Sequence, residues 1–76
     1  MARTKYYIKR QMEGKEIDEV ANFTRKDKAE RFLNKLFRGL KAADRHYPYW
    51  VRQGYFKSEF VGLCVNFKTE YWIEKY

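Results

Sequence analysis

His46 and Cys64 are the only histidine and the only cysteine of the 76-residue chain. Two such ligands fall short of the four that a tetrahedral zinc site takes. Cys64 sits in Val61-Gly62-Leu63-Cys64-Val65, an apolar stretch where a cysteine is expected to act as a small buried hydrophobe. Nothing beside it suggests an activated thiol, so a Cys–His nucleophile pair is not expected. His46, next to Arg45, reads as a solvated residue after a helix. Glu16, Asp18 and Glu19 are clustered acids, but a metal-dependent nuclease needs its carboxylates around a cleft, and these read as solvated charge. Glycines 14, 39, 54 and 62 form neither a P-loop nor a dinucleotide fingerprint. The chain is therefore expected not to be an enzyme and to hold neither metal nor cofactor.

The cations and aromatics carry the remaining chemistry. Seventeen Lys and Arg against ten Asp and Glu give a net charge of +7, which favours nucleic acid, an anionic membrane or an acidic protein as partner. Lys28, Arg31, Lys35 and Arg38 recur at spacings of three and four, within an arc of about 80° on a helix. A ridge of this kind can track phosphates, releasing counterions as it does so. Any solvated helix face is polar, but such faces usually mix signs, and this one holds no acid. Arg3, Lys5, Tyr7 and Lys9 alternate onto one face of a strand, setting a ring among cations as nucleic-acid-binding sheets do. The plainer account is that Lys9 pairs with Asp18 across a hairpin and Tyr7 packs beside Val20. Residues 45–57 interleave Arg45, Arg52 and Lys57 with six rings and no acid. Within them Tyr49, Trp50, Arg52 and Tyr55 are the residue types that dominate protein–protein contacts, although alternate rings could equally fill a small core.

The elements that must position these residues follow from hydrophobic period. Residues 4–12 alternate like a strand, Glu13-Gly14 suits a two-residue turn, and 15–23 reads as the return strand, with Lys9 opposite Asp18 and Gln11 opposite Glu16. Thr24 with Asp27 is a capping-box variant. Ala29, Phe32, Leu33, Leu36, Phe37, Leu40 and Ala43 then fill an arc of about 140° on a helix that continues to about residue 44, bent at Gly39 if anywhere. Pro48 breaks it. Residues 49–56 and 60–67 look strand-like, Lys68-Thr69-Glu70 reads as a turn, and 71–76 is a last strand or a short helix.

The fold expected is a single α+β domain over residues 1–76: ββα followed by two or three strands, forming a small antiparallel sheet with one amphipathic helix on one face. Hairpin followed by helix is similar in order to three-stranded DNA-binding modules that lay a sheet in the major groove, a likeness of topology alone. A lone cysteine, no signal-peptide pattern and no apolar run long enough to span a bilayer point to the cytoplasm and away from membranes. The leading expectation is a non-catalytic nucleic-acid-binding domain that uses the helix ridge, aided by Arg3, Lys5 and Lys9, with Tyr7, Tyr49 and Trp50 as stacking rings. The alternative is a small adaptor or inhibitor, of a type that phages and mobile elements encode, docking on an acidic protein through residues 45–57. A third reading is self-association through an uncovered terminal strand.

Overall fold

Alternation of apolar and charged side chains builds two strands at the start of the chain, β1 (Tyr6–Met12) and β2 (Ile17–Phe23). The structure is a computed structural model that describes residues 4–76, so Arg3 lies outside the described residues. The two strands form a hairpin whose turn is closed by the Lys15 N–H donating to the Met12 carbonyl at 2.9 Å. Gly14 takes a φ of 76° there, a region that glycine enters without a Cβ clash. The register differs from the expected one. Lys9 faces Glu19 and Gln11 faces Ile17, because the loop holds more than two residues and slides β2 by one. Arg10, not Lys9, therefore pairs with Asp18, at 3.3 Å. A bulge between Ile8 and Lys9 shifts the phase again, so Ala21 lies beside Ile8.

The helix α1 (Lys26–Ala42) follows from the apolar arc. Its N-cap is Arg25 rather than Thr24, and no side chain caps it. Asp27 is drawn instead to the Arg25 guanidinium, 3.1 Å away. The helix runs through Gly39 and stops two residues short of its expected end.

Three strands complete the chain: β3 (His46–Arg52), β4 (Tyr55–Val61) and β5 (Asn66–Lys75). Pro48 lies inside β3 rather than before it, a place proline tolerates because β3 is an edge strand. The turns fall at Gln53-Gly54 and around Gly62–Val65, so the stretches 49–56 and 60–67 each straddle a turn. Lys68-Thr69-Glu70 is not a turn; it pairs with Met12, Gln11 and β4 within β5.

The five strands form one antiparallel sheet in the order β2-β1-β5-β4-β3, and α1 crosses one face of it from one edge to the other. This is an α+β fold, with three strands after the helix. The terminal strand lies between β1 and β4, so the uncovered edges are β2 and β3. Ile8, Ala29, Leu33 and Phe56 are fully buried between helix and sheet. Phe56 is the hub. It stacks on Tyr71 at 4.9 Å and meets Phe37 and Trp50 edge-on at 5.3 and 5.2 Å. Burying one such ring is worth about 1.5–3 kcal/mol. Lys5 and Tyr76 exchange backbone hydrogen bonds of 2.8 and 2.9 Å, bringing the two ends of the described chain together.

Candidate functional site

Because the core arc of α1 faces the sheet, its opposite face points to solvent. Lys28, Arg31, Lys35 and Arg38 are all exposed there. None of the four makes an ion pair among the described residues, whose four salt bridges join other groups. The ridge rises about 15 Å from Lys28 to Arg38, at 1.5 Å per residue.

Strand parity sends the other predicted cations elsewhere. Ile8 is buried under the helix, so Lys5, Tyr7 and Lys9 project from the open face of the sheet. The ridge and this face are on opposite sides of the molecule, and no single flat surface joins them. Lys9 Nζ stands 5.5 Å from the Tyr7 ring centroid, and Tyr7 meets Tyr76 edge-on at 5.5 Å. Tyr7 does not pack beside Val20; its cross-strand neighbours are Asn22 and Glu74.

The open face is mixed in charge. Lys5, Lys9, Arg52, Lys57 and Lys68 share it with Glu19, Glu59, Glu70 and Glu74. Glu70 holds Lys57 at 3.2 Å, which raises the ammonium pKa above its ordinary value. Glu74 accepts from the Tyr76 hydroxyl at 2.7 Å and the Trp72 indole N–H at 3.0 Å. Those two bonds lower the Glu74 pKa, and the same contact raises that of Tyr76. Partial burial, followed by the nearby Glu70 carboxylate, raises the Tyr55 pKa. Two of these four acids, Glu70 and Glu74, thus fix rings and a lysine.

Residues 45–57 are divided between the two faces. Tyr49 and Tyr55 lie on the open face, where Tyr55 stacks with Trp72 at 6.2 Å and Arg52 covers it at 5.2 Å. Trp50 lies on the helix side, stacked on Phe37 at 4.9 Å. Tyr49 and Trp50 therefore point to opposite faces of the edge strand. A bulge between Trp50 and Arg52 returns Arg52 to the open face. Tyr47 and Val51 are more than half exposed along this edge.

Two further expectations are corrected. Cys64 is exposed in the β4–β5 turn, beside a Leu63 that is 89% exposed, because the turn projects past the core. His46 is half-buried against the Phe60 ring at 5.0 Å, since it begins β3 rather than trailing the helix.

One surface feature was not singled out from the sequence. A cleft between α1 and the β3–β4 turn collects Lys26, Glu30 and Asn34 from the helix, Trp50, Arg52 and Gln53 from the hairpin, and Lys75 from β5. Lys26, Glu30 and Asn34 recur at spacings of four beside the apolar arc, a pattern that marks one helix flank.

Among the described residues no three His, Cys, Asp or Glu side chains are grouped to hold a metal ion, and no helix is long and apolar enough to cross a membrane. Comparison with known proteins finds no matching family model, no matching curated protein and no matching solved structure.

Proposed function

We propose that the protein is a non-catalytic nucleic-acid-binding domain that contacts phosphates through the outer face of α1. One observation carries this reading: four exposed cations, Lys28, Arg31, Lys35 and Arg38, stand along one helix face without an ion-pair partner among the described residues. Solvated faces usually interleave signs, and an uncompensated ridge concentrates potential where a polyanion lies. The open sheet face supports less of the reading, because among the described residues its five cations are interleaved with four acids and its Tyr55, Trp72 and Tyr76 rings are tied to Glu70 or Glu74. Lys5, Lys9 and Tyr7 are then at most a second contact with a strand that wraps the molecule.

The deciding experiment is a salt titration of binding to short duplex and single-stranded DNA and RNA, by fluorescence anisotropy. Neutralising four phosphates of B-DNA gives a slope of log affinity on log salt of about −3.6. Binding that vanishes by physiological salt, with no preference for any form, removes the proposal.

A second reading rests on the exposed apolar edge of β3. Tyr47, Tyr49 and Val51 are 61%, 46% and 52% exposed, and Arg52 adds a cation beside Tyr55. That strip suits an acidic protein surface with an apolar centre. Its contacts would be Tyr49, Arg52 and Tyr55, with Tyr47 and Val51 in the place given to Trp50. Affinity capture with the wild-type chain and with Tyr49→Ala checks it: equal recovery of every partner excludes the strip.

A further inference from the structure

The cleft beside α1 exists because β5 outruns β4. β4 begins at Tyr55, opposite Trp72, and the Ile73 N–H still reaches the Gly54 carbonyl at 3.2 Å. β5 then continues to Lys75 with only β1 beside it. The step left in the sheet is roofed by the first turns of α1. It holds two joined lobes of about 200 and 300 Å³ that share Glu30, Gln53 and Gly54. The inner lobe adds Leu33, Asn34 and Trp50. The outer lobe adds Lys26, Arg52 and Lys75, one cation from each of three elements.

Lys26 faces Glu30 and Arg52 lies over the Tyr55 ring, but the other polar groups of the inner lobe are uncommitted. The side-chain amides of Asn34 and Gln53 and the Trp50 indole N–H make no hydrogen bond among the described residues. Among the described residues Glu30 is the only acid lining either lobe, and its contact with Lys26 is long, at 3.9 Å. Asp18, Asp27, Glu70 and Glu74 are held more closely, by Arg10, Arg25, Lys57, and Trp72 with Tyr76 respectively.

We propose that this cleft binds one purine nucleotide, with the base in the inner lobe and the phosphate in the outer lobe. An aromatic wall with amides beside it is how unstacked bases are held and read on their edges. A carboxylate only accepts, whereas an amide both donates and accepts. Guanine offers two adjacent N–H donors beside a carbonyl oxygen, so it matches Glu30 together with Asn34 and Gln53 better than the other bases do. The phosphate takes charge-assisted bonds from Lys26 and Lys75 on the helix side, and Arg52 joins them at the sheet edge by swinging off the Tyr55 ring. The lobes lie at the small end of ligand cavities, which suits one nucleotide rather than a dinucleotide coenzyme. The cleft lies on a flank of α1 and uses none of the ridge residues, so this proposal stands or falls apart from the ridge.

The test is NMR titration of the uniformly ¹⁵N-labelled chain with 5′-GMP, 5′-UMP, guanosine, inorganic phosphate and a 5′-phosphorylated tetranucleotide beginning with G. With 5′-GMP, the Trp50 indole and the Asn34 and Gln53 side-chain amide signals shift saturably, and guanosine or UMP binds about tenfold more weakly. The double variant Asn34→Ala, Gln53→Ala also loses about tenfold, as two hydrogen bonds disappear. Its dispersed spectrum reports that the fold is kept. Lys28→Gln with Lys35→Gln binds 5′-GMP like the wild type, even where polymer binding is lost. Tighter binding of the tetranucleotide than of GMP identifies the end of a strand as the source; the reverse identifies a free nucleotide. The proposal is overturned if GMP leaves the three inner-lobe signals unmoved, shifts only what phosphate alone shifts, or binds no better than UMP.

Discussion

Trp50 lies flat against Phe37, with ring centroids 4.9 Å apart and planes 20° apart. That contact joins the outermost strand to the C-terminal half of the helix, and it assigns Trp50 to packing although 40% of its surface is exposed. Tyr49, its neighbour in the chain, faces the other way.

The two adjacent aromatics therefore differ in what they contribute to stability. Trp50→Ala should cost about 1–3 kcal/mol, within the range for packing loss, while Tyr49→Ala should stay within about 0.5 kcal/mol of wild type. Urea denaturation of the two variants checks the contrast. Equal stability would mean that the Phe37 stack contributes nothing.

Two glycines should respond to alanine with opposite signs. Gly39 sits mid-helix, with open space where a Cβ would be, so Gly39→Ala should stabilise the fold by about 1 kcal/mol. Gly54 has a φ of 79° in the β3–β4 turn, so Gly54→Ala should destabilise it by about 1–2 kcal/mol. Thermal melts of both variants decide this.

Stability should fall at both ends of the pH scale through one shared contact. Glu74 has its folded pKa lowered from 4.5, first by the Tyr76 hydroxyl and then by the Trp72 indole. A lowered carboxylate pKa gives stability that is complete above 4.5 and is lost as pH falls through the folded value. Tyr76 has its folded pKa raised from 10.0 by the same bond, so its contribution is complete below 10.0 and is lost as pH rises through the folded value. Tyr76→Phe should flatten both limbs by lowering stability slightly near neutral pH, so that the variant and the wild type converge at the two extremes. Denaturation midpoints measured from pH 3 to 11 would show it.

On the ridge, charge removal should act on salt dependence rather than on sequence preference. Lys28→Gln with Lys35→Gln should weaken duplex binding uniformly and make the salt slope about 1.8 shallower, two phosphates at 0.9 each. Melting temperature should not move, because both side chains are exposed and make no ion pair among the described residues. Anisotropy titrations on two unrelated duplexes compare the slopes.

The helix was legible because seven apolar residues at spacings of three and four admit no other geometry, and its basic ridge follows from the same spacing. The first hairpin was legible from Gly14, but its register was not, since a longer loop moves every pair by one. The second half of the sheet was misread where turn signals sit among strand formers. Gln53-Gly54 is flanked by rings on both sides, and Lys68-Thr69-Glu70 looks polar only because β5 presents Lys68 and Glu70 on the open face. Alternation alone sends Tyr49 and Trp50 to opposite faces, yet their density in aromatics suggested one surface. The cleft needed tertiary structure: Lys26, Glu30 and Asn34 mark a helix flank, but nothing local says that Gln53 and Lys75 come to meet it.

The paired backbone bonds between Lys5 and Tyr76 make the sheet continuous across the two ends of the described chain. The order of the strands in space therefore does not depend on where the polypeptide is cut. A short linker from residue 76 to residue 4, with new ends opened at Gly14, would give a circular permutant that keeps all five strands and the helix. It would also move both ends away from the cleft at Lys75, leaving that corner clear for a fused reporter to be placed at the far tip of the β1–β2 hairpin.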